Sequence, residues 1–441
     1  MKKRKMLWPI FLLTAMLLSG CGGRTGKEMY ALPKRSKEFS QLQSAIDAAM
    51  YGLTYSAPRS GDNQQTVQMA DLDGDGTDEY LVFAKGEGEK PLWVLIFKQE
   101  ADGSVRNMEV IGSNGLEFEQ VEYVQFDDNP GYELVIGRQI SDQVLRSVSV
   151  YTFAGGETEL LLLNSYSKFL TCDLDRDGRK ELMVLRPGEA ESQRGMAVLY
   201  SSRSGQIVRS TETELSVDTS AIRRIMSGKL QDGFPAVYVA SAGENNTIIT
   251  DVFAMQGGRF TNIAFSGHAD TSIQTLRNYY VYASDIDGDG VMELPSKITM
   301  KPVTNWLEDE QNFLLRWFSL NSRGLSTEKL CSFHNYVGGW YIQLDSSWAG
   351  RMSVEEKDGN YAFYVWDEDY REATPLFTVY VFTGNTRDED AVRDGRFALF
   401  RAEGVAYAAK LQESAPQYDI TQESLTESFH LIYQDWKTGE T

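Results

Sequence analysis

From residue 66 to about 333 the chain alternates short apolar runs with turns rich in Gly, Asp, Asn and Ser, a pattern that reads as consecutive short strands. In the stretch following residue 168 the runs are 169–173, 180–185, 195–200 and 206–212, four strands to a unit. Helical spacing is confined to the flanks. Residues 39–51 carry apolar side chains at Leu42, Ala45, Ile46, Ala49 and Met50, and 425–436 places Phe429, Ile432 and Tyr433 on one side. Both segments are expected to be amphipathic helices, the first packing on the β-rich region.

The turn between the first and second strands of a unit has a recurrent form, Asp-x-Asp-x-Asp-Gly-x-x-Glu, at 71–79, 173–181 and 285–293. Carboxylates at alternate positions, a glycine that turns the chain back and a closing carboxylate converge on one point, as a hard oxygen-seeking cation such as calcium requires. These copies begin 102 and 112 residues apart, about two units each. Degenerate copies fall between them: Asp127, Asn129 and Glu133 in the turn starting at 125, and Asp232-Gly233 in the turn near 228. The starts 71, 125, 173, 228 and 285 define a period of 48 to 57 residues, close to that of propeller blades. The expected fold is therefore mainly β, a β-propeller of about five or six four-stranded blades over 66–333. An EF-hand needs an acidic ligand at position twelve and a following helix; Val82, Val184 and Ser296 stand there instead. Asp-rich turns also bond to their own backbone without metal, the expected state of the two degenerate copies. In the second full copy, Arg176, Arg179 and Lys180 reduce the local negative field.

The phrase DLDGDGTDEYLVF resembles the FG-GAP or VCBS-type repeat, an aspartate-rich calcium loop leading into a propeller strand, and the resemblance covers about 60 percent of the chain. It implies side-chain ligands Asp71, Asp73, Asp75 and Glu79 with the Thr77 carbonyl. The same roles fall on Asp173, Asp175, Asp177 and Glu181 with the Arg179 carbonyl, and on Asp285, Asp287, Asp289 and Glu293 with the Val291 carbonyl. Two or three calcium ions are implied. The family often closes the loop with Asp; this chain has Glu, whose longer arm can reach an ion through water.

Residues 2–5 are Lys-Lys-Arg-Lys, followed by an apolar run over 6–18 that is short for a membrane span and has the form of a secretory signal. Leu18-Ser19-Gly20-Cys21 resembles the lipobox of bacterial lipoproteins, which implies a signal peptide at 1–20, acylation of Cys21 and a tether over 21–35. Two or three acyl chains anchor stably where one is marginal. The chain is then expected at the extracellular face of the cell membrane, held by lipid. The net charge of -20 becomes -24 without the leader, which disfavours nucleic acid as a partner. A protein or glycan partner at the envelope is expected instead. The remaining Cys172 and Cys331 read as buried free thiols, with their pairing left open.

After a helix and lead-in at 36–65 and the propeller at 66–333, the acidic turns stop. Residues 334–441 read as a small α/β domain, with strands at 351–355, 361–366 and 377–382, a hairpin over 396–403 and 405–410, and the terminal helix. The phrase WYIQLDSSW resembles the PsbP-like α/β sandwich, a fold that implies docking rather than chemistry. Trp340, Trp348 and Trp366 are expected in the core. His268, His334 and His430 lack metal-ligand spacing, and no nucleophile elbow or phosphate loop is present. The expectation is a calcium-stabilised, non-enzymatic binding or scaffolding module, the alternative a surface enzyme acting on polysaccharide through paired carboxylates.

Overall fold

A computed structural model of the protein describes residues 37–141, 145–154, 157–188, 194–243, 247–277, 280–303 and 313–438. The leader, Cys21 and the tether lie outside the described residues. The fold is mainly β, and the chain divides into two compact units.

The smaller unit contains the chain up to Pro58 together with Gln65–Ala70 and Thr77–Asn114. Its sheet runs Thr54–Tyr55, Glu79–Lys85, Leu92–Gln99, Val105–Ser113, with Val67–Ala70 also paired to Glu79–Lys85. The strand EYLVFAK is buried on both faces, which is why it reads as a continuous apolar run rather than an alternation. The helix Lys37–Ala49 forms where its apolar spacing predicts, and packs Leu42 and Ile46 against Val82, Leu95 and Phe97.

The larger unit holds Arg59–Gln64, Asp71–Gly76 and the chain from Gly115 onward. It contains five antiparallel sheets among the described residues. The second sheet of the chain is built from Glu117–Val124, Glu133–Gln139, Arg146–Thr152 and Glu159–Tyr166, paired in sequence order. The third uses Lys168–Cys172, Glu181–Pro187, Gly195–Arg203 and Gln206–Glu214, each within a few residues of the strand expected there. The fourth uses Ile222–Lys229, Pro235–Ala242, Ile248–Gln256 and Arg259–Asn262. Consecutive sheets share cores: Val135 and Val150 of the second meet Val184 and Val198 of the third, and Met183 and Leu199 of the third meet Val237 and Phe253 of the fourth.

The fifth sheet runs Leu294–Thr299, Phe313–Leu320, Ser326–Asn335, Trp340–Asp345, Phe429–Leu431. The strand Ser326–Asn335 crosses position 334, where the sequence pattern places the start of the terminal domain, and WYIQLD is its hydrogen-bonded neighbour. The sixth sheet has the order Met352–Lys357, Asn360–Trp366, Ala373–Thr383, Val405–Leu411, Phe397–Ala402. Its Phe363 and Phe377 share one core with Leu314, Ile342 and Leu344 of the fifth. Trp340 and Trp366 are buried and Trp348 is partly buried, all as packing residues.

The helix expected over 425–436 is replaced by three short elements: a helix Gln422–Ser428, a strand Phe429–Leu431 and a helix Gln434–Thr438. Thr421 and Ser424 form a capping box that starts the first of these. The open edge of Trp340–Asp345 then captures Phe429–Leu431 as a fifth strand, satisfying backbone groups that a continuous helix would leave exposed on that edge. Phe429 and Ile432 are still buried, so the apolar spacing was real but served different elements. Cys172 and Cys331 are free thiols, and burial raises both to about 12.

Candidate metal centres

The turns at 125–133, 173–181 and near 228 join the first two strands of a sheet, the 285–293 turn leads into Leu294–Thr299 from the isolated bridge between Ser284 and Glu293, and each is built by its own backbone. In the 173–181 turn the Asp173 carboxylate accepts from the N–H groups of Arg176 (2.6 Å) and Gly178 (3.1 Å). Asp175 accepts from the Asp177 N–H at 3.0 Å, and Asp177 from the Arg179 N–H at 2.8 Å. These are Asx-type turns. Positions four and six take left-handed φ, 68° at Arg176 and 92° at Gly178, whereas the 285–293 turn has glycine at both, Gly288 and Gly290. The second position is an apolar plug: Leu174 is fully buried, and Phe126 and Ile286 are buried at the same place in their turns.

The closing glutamate has a structural duty. One oxygen of Glu181 accepts from the N–H of Leu174 at 2.7 Å, one of Glu133 from Phe126 at 3.1 Å, and one of Glu293 from Ile286 at 3.2 Å. Each is buried, and burial pushes Glu133, Glu181 and Glu293 up to about 7; neighbouring aspartates add to this, Asp175 and Asp173 for Glu181.

The side chains of Asp173, Asp175, Asp177 and Glu181 bring oxygens within 4.8 Å of one another, as do those of Asp285, Asp287, Asp289 and Glu293. Both groups can hold a metal ion. The all-carboxylate donor set suits a hard divalent cation, and the carboxylate at its floor is buried. The backbone of Arg179 and Val291 enters through an N–H, given to Asp177 and Asp289 at 2.8 Å each. The first turn is divided between the two units. In the larger, Asp71 accepts from the N–H of Gly74 (2.8 Å) and Gly76 (2.9 Å), and Asp73 from that of Asp75 (3.3 Å). In the smaller, which holds Thr77, Glu79 is fully buried with the Lys98 ammonium 3.0 Å from its carboxylate.

Basic side chains lie elsewhere than their sequence neighbourhood suggests. Arg179 turns away from the 173–181 turn to make a two-point contact with Asp128, at 3.1 and 2.9 Å, and the Arg176 guanidinium lies over the Phe234 ring. Among the described residues no Lys or Arg forms an ion pair with Asp173, Asp175, Asp177 or Glu181. In the 285–293 turn, Lys329 of the fifth sheet touches Asp289 and stands 3.5 Å from Asp287 and 3.9 Å from Glu293. Nothing near 285–293 in the sequence signals that lysine. The degenerate turns are satisfied by protein groups: Asp127 accepts from the Asn129 N–H at 2.8 Å, and Asp232 is bound by the N–H and hydroxyl of Ser322, ninety residues on.

Two cavities flank these features. One of about 610 Å³ has Asp175, Asp177 and Glu181 in its wall, faced by Ser201, Arg203 and Arg259. Another of about 590 Å³ contains Asp62, Glu122, Lys168 and Arg223. Burial raises Glu122, which accepts from Thr171 and Gln120 at 2.5 Å each.

No family model matches the chain, and no curated protein matches it. Solved structures similar to it include a Bacillus licheniformis rhamnogalacturonan lyase, at 12% identity and a TM-score of 0.30 over 73% of this chain and 62% of that one. They also include the β-propeller domain of the trilobed protease from Pyrococcus furiosus, at 12% identity and a TM-score of 0.28 over 72% and 89%. A putative 6-phosphogluconolactonase from Bacteroides uniformis matches at 8% identity and a TM-score of 0.27 over 69% and 82%. The chain spans less than two thirds of the length of the lyase. At such scores the likeness carries no argument about function.

Proposed function

We propose that this chain is a calcium-stabilised binding or scaffolding module of the cell envelope, a β-propeller whose blades are the sheets preceded by acidic turns, with the sixth sheet as an appended α/β module. A lipid on Cys21 holds it at the extracellular face of the membrane. Among the described residues no helix is long and apolar enough to cross a membrane. The observation that carries the reading is the 173–181 cluster: four carboxylates with no basic partner among the described residues, three of them (Asp175, Asp177 and Glu181) in the wall of a cavity that also offers hydroxyl and guanidinium donors. In this reading Asp173, Asp175, Asp177 and Glu181 hold calcium with the Arg179 carbonyl. The ion fixes the wall against which a glycan or protein of the envelope docks. The test is retention of the full-length protein and of Asp177→Asn on purified cell walls and envelope extract, in calcium and in EDTA. Calcium-dependent retention that the variant loses is expected; equal retention, or none, in both buffers refutes the reading.

One observation favours the enzymatic alternative. The second cavity holds two carboxylates, Asp62 and Glu122, outside the metal turns, and burial keeps Glu122 protonated to higher pH than an ordinary glutamate, as a general acid requires. Reducing-end release from envelope polysaccharide, present in the wild type and absent from Glu122→Gln, would establish it; no release by the wild type removes it.

A further inference from the structure

Pairing register sets the same two positions near the closing glutamate in the three sheets that carry the full acidic turns. One is the residue across from it on the strand next in sequence to its own. The pairs Tyr80 with Phe97, Leu182 with Tyr200 and Leu294 with Phe318 put Lys98 across from Glu79, Ser201 across from Glu181 and Ser319 across from Glu293. The other is an extra residue on the strand after that, left over where the register shifts. The shift between Ile96 and Phe97 leaves Met108, that between Leu199 and Tyr200 leaves Ser210, and that between Trp317 and Phe318 leaves Lys329. A bulge residue escapes the ladder and can be aimed at a neighbouring site.

The occupants differ in charge. The 173–181 turn meets two serines, whose hydroxyls bond to each other at 2.5 Å. The 285–293 turn meets Lys329, whose ammonium lies against three of its four carboxylates. Glu79 meets Lys98 from the other of the two positions, at 3.0 Å. An ammonium and a divalent ion cannot both sit among these oxygens, because two cations at contact distance repel strongly in a partly buried site.

We propose that the ammonium of Lys329 is the resident cation of the 285–293 turn, held there by the bulge in Ser326–Asn335, and that divalent metal is thereby excluded from this turn and left to the 173–181 turn. The inference rests on the reading of the acidic turns as cation sites, and it reverses the order of preference that the basic residues within 176–180 suggest. Metal specificity is set by one residue that is remote in sequence and fixed by sheet register.

The test counts bound calcium on the full-length protein by equilibrium dialysis at about 1 mM free ion, with melting in EDTA alongside. Lys329→Ser is expected to bind one ion more than the wild type, and to lose it again when Asp289→Asn is added. Ser210→Lys is expected to bind one fewer. In EDTA, Lys329→Ser should melt below the wild type and recover in calcium. No gain of an ion by Lys329→Ser, or loss of an ion when Asp289→Asn is made in the wild type, overturns the proposal. If no form binds calcium the cation-site reading fails separately, and the EDTA comparison decides the lysine: unchanged melting of Lys329→Ser overturns its role, lowered melting upholds it.

Discussion

Asp251 is fully buried in the strand Ile248–Gln256, has no ion-pair partner among the described residues, and its carboxylate accepts four hydrogen bonds. The donors are the N–H (2.8 Å) and hydroxyl (2.6 Å) of Ser216, the Asn262 amide (2.8 Å) and the Ser272 hydroxyl (2.6 Å). Ser216 follows the third sheet, Asn262 ends the fourth, and Ser272 lies in the connection toward the fifth, so one carboxylate ties three chain segments. Asp251→Ala strands a backbone N–H and an amide that cannot turn away, while relieving the desolvation of one charge. Loss of a buried charge-bonded hub of this kind costs about 3–5 kcal/mol. Asp251→Asn keeps the shape and one acceptor, lets the two hydroxyls reorient, and leaves one fixed donor opposed by another; about 1.5–3 kcal/mol is expected. Urea unfolding reads both as a fall in midpoint at constant slope. A loss under about 1 kcal/mol for the alanine variant, or equal losses for the two, refutes the account.

His334 is buried between the Tyr341 and Trp436 rings with Ser332 at 2.8 Å from Nε2, and burial depresses it to about 3. A depressed imidazole stabilises the fold above its unfolded value near 6.5, and the contribution falls away as pH drops below that. Between pH 7.5 and 5 the wild type should lose about 2 kcal/mol more than His334→Phe, and parallel urea profiles for the two proteins would remove the claim. Gly131 approaches the 71–76 segment so closely that a Cβ would lie 2.3 Å from the Leu72 carbonyl oxygen, next to the bond from the Tyr132 N–H to the Asp71 carbonyl at 2.9 Å. Gly131→Ala should therefore cost about 2–3 kcal/mol, whereas Gly233→Ala, at φ 77° in open space, should cost about 1 kcal/mol from backbone strain alone; thermal melts that rank them the other way contradict this.

The acidic turns were legible because every group that shapes them is local: the aspartates bond to N–H groups two to five residues on, and the apolar plug and closing glutamate sit at fixed offsets. Strands following the turns were legible for the same reason, since burial on both faces leaves an apolar run such as ELMVLRP with a glycine- or aspartate-bounded start. What the sequence hid is non-local. The partner of the Trp340–Asp345 edge is Phe429–Leu431, more than eighty residues later, and its helical apolar spacing concealed a strand. Lys98 and Lys329 face closing glutamates through sheet register and a bulge, so neither announces itself near a turn. Arg179 and Lys180 announce themselves strongly, yet Arg179 spends its charge on Asp128 in the preceding turn.

That last contact belongs to a regular linkage. The N–H of Tyr132, at position eight of its turn, donates to the carbonyl of Asp71, at position one of the turn before; Lys180 donates likewise to Gln125 at 3.2 Å, and Met292 to Lys229, at position two, at 2.9 Å, whereas Pro235 at position eight of the turn near 228 has no N–H to give. The turn at 125–133 lacks the first aspartate, yet it keeps this bond, the buried plug Phe126 and the Glu133 bond to the Phe126 N–H. The geometry therefore does not need the first aspartate. The closing residue is Glu rather than Asp because one carboxylate must reach back to position two while its second oxygen faces the aspartates. A shorter side chain serves the ion or the backbone, not both. In the proposed reading a cation at a full turn adds its charge to this backbone frame, and the two strands that follow the glutamate's own decide whether that charge is a metal or a lysine.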